Sequence, residues 1–264
     1  MTTLMDVKHS IRSHKLFENE GSKILGILHR PKDVLNPPLV IMHHGFASHK
    51  VGTRRSHVHL AEALCRNKIA ALRFDMRGHG DSEGDLDHLG FSDLFGDASL
   101  VLKEMKKEGF GTIALYGSSL GGSIASLVAS LSPDIAALAL WAPPASGELW
   151  ARDFLNKNQD ISFKSYRGAT ISEKFRNEFL QMKAYLAIAH TDHMPLWHGF
   201  GEQDEVLSID HKLAFEKARG CAKNKSTFRF YKDTSHYLGN SPQMEEIVQE
   251  IANWYKAILL KNDS

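Results

Sequence analysis

The chain has 264 residues, 42% of them hydrophobic, which is enough for one substantial core or for one core with an inserted subdomain. Lys and Arg total 32 against 31 Asp and Glu, and this balance excludes the basic excess typical of nucleic-acid binding. The N-terminal residues show no basic segment followed by an apolar one, and no apolar run is long enough to cross a membrane. We therefore expect a cytoplasmic protein with no membrane span and no nucleic-acid partner.

Histidine and cysteine usage adds three expectations. The 15 histidines predict a net charge that changes with pH near neutrality. Cys65 lies in an apolar helical stretch and Cys221 in a polar loop region, so the two cysteines predict no disulfide framework. A reducing compartment fits this usage best.

Taken in chain order, the hydrophobic pattern predicts strands that alternate with helices. The runs at 39–42 and 69–74 are apolar with little alternation, which is the pattern of strands buried on both faces. Turn-forming residues and helix-capping residues set the boundaries of the other elements. The predicted strands cover residues 7–17, 22–28, 39–42, 69–74, 111–116, 135–141, 194–199 and 226–231, and the predicted helices cover 53–66, 91–107, 123–129, 208–218 and 241–260.

The segment 117–121 has the pattern G-x-S-x-G between a predicted strand and a small, apolar helix. This is the nucleophile-elbow pattern, in which the serine takes a strained conformation that lifts its hydroxyl clear of the sheet. Reading Ser118 as the nucleophile would need glycine at the positions of Tyr116 and Leu120, so the pattern selects Ser119. An ordinary glycine-rich turn can also produce the pattern, and the flanking strand and helix favour the catalytic interpretation.

Other loops follow predicted strands at the same edge of the sheet as the elbow. His44-Gly45-Phe46 follows an early strand, where a second N–H donor to an oxyanion is expected. His79 belongs to a compact loop rich in Gly and Asp, and we expect it to be structural. The loops at 200–206 and 232–237 offer acidic residues and a histidine, the groups that a serine nucleophile requires.

Together these segments resemble the α/β-hydrolase superfamily, in particular the serine esterases that include feruloyl (cinnamoyl) esterases and monoacylglycerol lipases. The resemblance implies an α/β-hydrolase fold, with a mostly parallel central sheet, flanking helices and an inserted helical cap or lid. It spans most of the chain, and the matching segments occur in family order. They are His44-Gly45-Phe46, the segment Asp-Met-Arg-Gly-His-Gly-Asp-Ser at 75–82, the elbow at 117–121, His-Gly-Phe-Gly-Glu-Gln-Asp at 198–204, and Ser235-His236.

The resemblance also implies the roles of individual residues. Ser119 corresponds to the nucleophile, Asp204 to the acid and His236 to the base, and the backbone N–H groups of Phe46 and Leu120 correspond to the oxyanion hole. Rival acids are Glu202 and Glu205, and rival bases are His190 and His193. The implied chemistry is two-step acyl transfer on a small-molecule ester without a cofactor or a metal. The pairs His57/His59 and Asp192/His193 could be taken for metal ligands, but neither pair has a convincing partner set.

The predicted rhythm of strands and helices is interrupted between 145 and 193. We expect a hydrolase core formed by residues 1–144 and 194–264, with 145–193 as the cap. The cap aromatics Trp150, Phe154, Phe163 and Tyr166 are expected either to line an apolar acyl or aryl pocket or to pack the cap.

The function we expect is that of a serine carboxylesterase acting on short-chain or aryl esters of the cinnamoyl or feruloyl type. A thioesterase, lipase or peptidase could use the same three residues, because the fold does not decide between them. A non-catalytic binding protein is a further alternative, although such a protein would usually have lost part of the triad. The residues leave the oligomeric state open, with a homodimer as one arrangement.

Overall fold

The computed structural model describes residues 5–7, 9–157, 164–166, 168–220 and 225–260, which excludes Phe163 and Cys221. In these residues the main sheet has nine strands in the order β1-β2-β3-β5-β4-β6-β7-β10-β11, and β8 and β9 form a separate pair. The strands are β1 (Met5–Val7), β2 (Ser10–Asn19), β3 (Ser22–Pro31), β4 (Leu39–His43), β5 (Ala70–Phe74), β6 (Ile113–Ser118), β7 (Leu138–Trp141), β8 (Ser165–Tyr166), β9 (Ala169–Thr170), β10 (Leu196–Gly201) and β11 (Ser226–Tyr231).

The sheet combines an antiparallel edge with a parallel centre. Antiparallel pairing joins β1 to β2, β2 to β3 and β3 to β5. Parallel pairing joins β5 to β4 and continues through β6, β7, β10 and β11. Every residue of β4, β5 and β7 is buried, which explains the apolar runs, because a central parallel strand has no face toward water. The carboxyl ends of the parallel strands therefore meet at one edge of the sheet, where the loops that carry the predicted site residues begin.

Two groups of helices cover the sheet. Helix α1 packs against α8, and α2 packs against α3, so the sheet lies between two helical layers. The Tyr255 hydroxyl of α8 donates to the carbonyl of Leu115 and accepts from the N–H of Ala139, which fixes this helix to the sheet. The core helices are α1 (Ser56–Arg66), α2 (Phe91–Lys107), α3 (Leu120–Ser130), α7 (Ile209–Ala218) and α8 (Ser241–Leu259), and a 3₁₀ turn at Thr53–Arg55 precedes α1. This arrangement confirms the predicted α/β-hydrolase fold.

The segment 145–193, called the insert below, joins β7 to β10. It contains α4 (Gly147–Lys157), the hairpin β8–β9, α5 (Glu173–Gln181) and α6 (Ala184–Ala189). The hairpin is an addition to the helical insertion that we expected, and strands of two residues are too short to give a periodic signal in the sequence.

Two further expectations can be compared with the structure. Cys65 is a free cysteine buried in α1, and burial raises the pKa of its thiol to about 12. Within the described residues, no helix combines the length and the apolar character needed to cross a membrane.

Candidate active site

Ser119 lies between β6 and α3 in a strained backbone conformation. Its φ is 52° and its ψ is −128°, values that L-residues rarely adopt. Hydrogen bonds hold the turn in place. The Ser119 N–H donates to the Trp141 carbonyl at 2.9 Å, and the Gly122 N–H donates to the Ser119 carbonyl at 2.8 Å. The turn therefore has the geometry that the elbow pattern predicts.

The elbow also explains its two outer glycines. A Cβ on Gly117 would overlap the backbone of Gly121 and Gly122, and a Cβ on Gly121 would overlap the carbonyl oxygens of His43 and His44. Only glycine lets β6, α3 and the loop after β4 approach this closely. The sequence pattern thus reports close backbone packing as well as a chemical site.

His236 is bonded to Asp204. The Asp204 Oδ2 lies 2.7 Å from the His236 Nδ1, and both side chains are buried. The other carboxylate oxygen, Oδ1, accepts from the N–H groups of Val206 at 2.9 Å and Leu207 at 2.7 Å. Both oxygens of the Asp204 carboxylate are therefore hydrogen-bonded. Because Nδ1 is engaged, Nε2 is the ring nitrogen that remains for another partner.

The rival residues take other positions. Glu205 accepts a hydrogen bond at 3.0 Å from the backbone N–H of His236, not from its ring, and Glu202 accepts a long one from the Asp233 N–H. His190 and His193 are exposed near the end of the insert, and neither lines the cleft that contains Ser119. Asp204 is therefore the acid that the structure brings to the ring of His236.

The loop after β4 lies directly against Ser119. A Cβ placed on Gly45 would be 3.1 Å from the Ser119 Cβ, and Phe46 and Leu120 both line the cleft beside this serine. The two predicted oxyanion donors are thus residues of the same cleft. Backbone N–H groups at such a position can stabilise a developing negative charge.

His44 helps to shape that loop. Its Nε2 accepts from the Met76 N–H at 3.1 Å, so its Nδ1 carries the proton and donates to the Gly45 carbonyl at 2.8 Å. Burial, together with neighbouring His79, lowers the pKa of His44 well below 6.5. The sequence placed His44 near an oxyanion site but did not reveal this bond.

His79 holds the next peptide unit of the same loop. Its Nε2 accepts from the Ala47 N–H at 3.2 Å, and its Nδ1 donates to the Arg77 carbonyl at 2.9 Å. The peptide units before and after Phe46 are consequently fixed by two buried histidines. Burial lowers the pKa of His79, and both ring nitrogens are engaged, in agreement with the structural role expected for it.

The cleft is lined by aromatic and by polar side chains. It contains about 820 Å³ of space not occupied by protein atoms, its open mouth included. The insert supplies Trp150, Tyr166, Ile171, Phe175 and Phe179, and the core supplies the further aromatic residues Phe46, Trp141 and Tyr237. Besides Ser119 and His236, the polar side chains of the lining include Ser48, Thr53, Ser56, His57 and Ser118.

The two expectations for the insert aromatics therefore apply to different residues. Trp150 and Tyr166 line the cleft, whereas Phe154 stacks on Trp150 with ring centroids 5.0 Å apart and is not part of the lining. Phe175 and Phe179 also line it, although nothing in the sequence distinguishes them from packing residues.

A buried carboxylate ties the insert to the loop of Asp204. Asp153 of α4 accepts from the Ser208 N–H at 2.6 Å, and the Nε2 of His211 lies 3.3 Å from the same carboxylate. Burial alone would raise the pKa of Asp153, but His211 and the Ser208 N–H stabilise the anion and lower it well below the usual range. Sequence reasoning missed this contact, because its partners are more than 50 residues apart.

The structure adds no further ligands to the pairs His57/His59 and Asp192/His193 among the described residues. Among the described residues, no group of three or more His, Cys, Asp or Glu side chains is arranged to hold a metal ion. The ring of His57 is instead bonded to Ser118.

Comparison with known proteins adds a family and a set of structural neighbours. Residues 37–181 match the family model described as serine aminopeptidase, S33. No curated protein sequence matches the chain significantly.

Among solved structures, Est1E from Butyrivibrio proteoclasticus with bound ferulic acid is similar to this chain, with a TM-score of 0.80 and 21% sequence identity over 94% of this chain and 100% of that one. The Pyrococcus furiosus esterase Pf2001 has a TM-score of 0.73 and 18% identity, over 93% and 91%. The esterase domain of a Rhodothermus marinus protein has a TM-score of 0.72 and 20% identity, over 94% and 99%.

Proposed function

The chain belongs to the serine aminopeptidase S33 family of hydrolases, and we propose that it is a serine carboxylesterase acting on short-chain or aryl esters. The observation that carries the proposal is the hydrogen bond between Asp204 and His236 in the cleft that also contains the strained Ser119. A serine needs a base to take its proton and an acid to orient that base, and these three residues can supply all three functions.

The proposed reaction follows from those positions. The Nε2 of His236 takes the hydroxyl proton as the Ser119 Oγ attacks the ester carbonyl, and Asp204 stabilises the imidazolium. The N–H groups of Phe46 and Leu120 donate to the tetrahedral oxyanion. The alcohol then leaves with the proton from His236, and water hydrolyses the acyl-enzyme by the same route.

We propose in addition that residues 145–193 form a cap over a core of residues 1–144 and 194–264, and that this cap binds the acyl or aryl part of the substrate. The support is that Trp150, Tyr166, Phe175 and Phe179 of the insert line the cleft beside Ser119. Aromatic side chains bind flat, apolar groups through large contact areas. Ferulic acid, bound in the structurally similar Est1E, is a ligand of this kind.

The family description makes an aminopeptidase the second candidate. Such an enzyme must bind the cationic amino terminus of a peptide, and a buried cation needs an acidic partner. Within the described residues, the lining of the cleft includes no Asp or Glu side chain. This composition favours a neutral ester over a charged peptide terminus.

The test is hydrolysis of p-nitrophenyl esters from acetate to palmitate, with methyl ferulate and leucine p-nitroanilide alongside. The variant is Ser119→Ala, at the start of α3, and the matched control is Ser130→Ala, at the end of α3. We expect wild type and control to hydrolyse the short or aryl esters and Ser119→Ala to lose at least 10³-fold in kcat/KM, the order of loss known for serine triads. Folded wild type that cleaves only the anilide would favour the peptidase, and ester hydrolysis that persists in Ser119→Ala would refute the proposed nucleophile.

A further inference from the structure

A second serine–histidine pair lies beside the proposed nucleophile. Ser118 is the last residue of β6, and its Oγ lies 3.1 Å from the Nε2 of His57 in α1. Both residues line the cleft, and the proposed reaction uses neither of them. The sequence gives no sign of the pair, because its members are 61 residues apart.

His57 is neutral under ordinary conditions. The residue is 3% exposed, and burial, assisted by the nearby charge of Arg73, lowers its pKa to about 3. A neutral imidazole has one N–H donor and one bare nitrogen acceptor. The position of the single proton therefore decides what the pair can do.

The surroundings of the ring favour a proton on Nε2. The Nδ1 atom of His57 is buried and has no hydrogen-bond partner in the described part of the chain. A proton on Nδ1 would leave a buried N–H unsatisfied, which is rarer in proteins than an unsatisfied acceptor. With the proton on Nε2, His57 donates to the Ser118 Oγ.

This tautomer leaves Ser118 as a donor. Its oxygen accepts from His57, so its own O–H proton remains to be donated to a group in the cleft. Ser118 is half-buried and directly precedes Ser119, and the adjoining lining at Ser48, Thr53 and Ser56 is also polar. The available acceptor is thus an atom of the substrate close to the scissile ester.

We infer that His57 holds Ser118 as a hydrogen-bond donor for an oxygen substituent of the substrate near the scissile ester. Esters with a hydroxyl or ether oxygen at that position would be hydrolysed in preference to esters with a carbon there. The inference rests on the proposed esterase function and names a specificity-determining pair within it. The oxygen can come from the alcohol or from the acyl part, and the chemistry of recognition is the same.

Two matched substrate pairs test the inference and separate the sources. For the alcohol part, 2-hydroxyethyl butanoate is compared with propyl butanoate. For the acyl part, ethyl 3-hydroxybutanoate is compared with ethyl 3-methylbutanoate. The readout is the ratio of kcat/KM within each pair, which cancels general losses of activity. We expect wild type to prefer the hydroxyl substrate by about tenfold in one pair, the effect of one well-placed hydrogen bond.

Variants then assign the preference to the pair of residues. In Ser118→Ala the ratio should fall to within about twofold of one, and in the control Ser130→Ala it should stay at the wild-type value. His57→Leu removes the bond to Ser118 and should lower the ratio as well. His57→Gln keeps an N–H donor near the Nε2 position and should retain most of it. If Ser118→Ala does not fold, His57→Leu is the variant that tests the inference.

Three outcomes overturn the inference. The inference is refuted by kcat/KM ratios near one for wild type in both substrate pairs, or by a preference that Ser118→Ala and His57→Leu leave unchanged. In either case, hydrolysis of plain esters that depends on Ser119 would still support the proposed function. Failure of folded wild type to hydrolyse any ester would overturn the proposed function and this inference together.

Discussion

His198 should make the stability of the protein depend on pH in the acid range. It lies in β10, is 0% exposed, and packs against Phe215 and Phe228 at ring distances of 5.1 and 5.8 Å. Neither ring nitrogen has a hydrogen-bond partner within the described residues. A positive charge here would be buried without compensation.

The magnitude follows from proton linkage. Burial, with a smaller contribution from the charge of Lys212, lowers the pKa of His198 from 6.5 to about 3. The unfolded chain binds this proton near pH 6.5 and the folded protein does not, so protons favour unfolding below pH 6.5. The contribution of this neutral ring to the free energy of unfolding is therefore fully present above pH 6.5. It is lost progressively as the pH falls toward 3. Between pH 7.5 and pH 5 the loss from this one residue is about 2 kcal/mol.

The assay is urea unfolding at pH 7.5 and pH 5 for wild type, His198→Leu and His88→Leu. His88 is the matched control, because its side chain is 83% exposed. Between pH 7.5 and pH 5, we expect the free energy of unfolding to fall by about 2 kcal/mol less in His198→Leu than in wild type. The fall in His88→Leu should equal that in wild type. Parallel pH dependence in wild type and His198→Leu, within about 0.5 kcal/mol, would refute the reasoning.

Three further predictions concern the acid, the aromatic lining and the elbow of the proposed site. Asp204→Asn should lower kcat/KM for ester hydrolysis about 10³- to 10⁴-fold, whereas Glu202→Gln should change it less than about threefold, and equal losses would contradict the assignment of the acid. Trp150→Ala should raise KM for methyl ferulate about tenfold by removing an aromatic contact, with Leu155→Ala, 45% exposed on the same helix, as the control in the same steady-state assay. Gly121→Ala should lower the free energy of unfolding by about 3 kcal/mol, because its Cβ would overlap backbone oxygens, and urea unfolding equal to that of wild type would rule out the close packing.

Elements with a strong local signal were predicted well from the sequence. Helix α2 and strand β11 have the predicted bounds, 91–107 and 226–231. In α2 the signals are an acidic first turn and two lysines in the last, which complement the helix dipole. The elbow was also predictable, because its glycines are required by close backbone packing at known offsets from Ser119.

Features that depend on contacts distant in sequence were not predictable. The bond between His57 and Ser118 and the contact of Asp153 with the loop of Asp204 join residues more than 50 positions apart. The large number of histidines predicted a charge that responds to pH near neutrality. The structure buries His29, His43, His57 and His198 with pKa values lowered to about 2 to 4, so these four affect the stability rather than the charge of the folded state near neutral pH.

The central proposal is that Ser119 is a nucleophile activated by His236 and Asp204. The most direct measurement is labelling with a fluorophosphonate, followed by mass spectrometry of the digested protein. We predict one covalent adduct on the peptide that carries Ser119, none in Ser119→Ala, and labelling slowed at least 10²-fold in His236→Ala. An adduct on another serine, or folded wild type that does not react, would contradict the proposal.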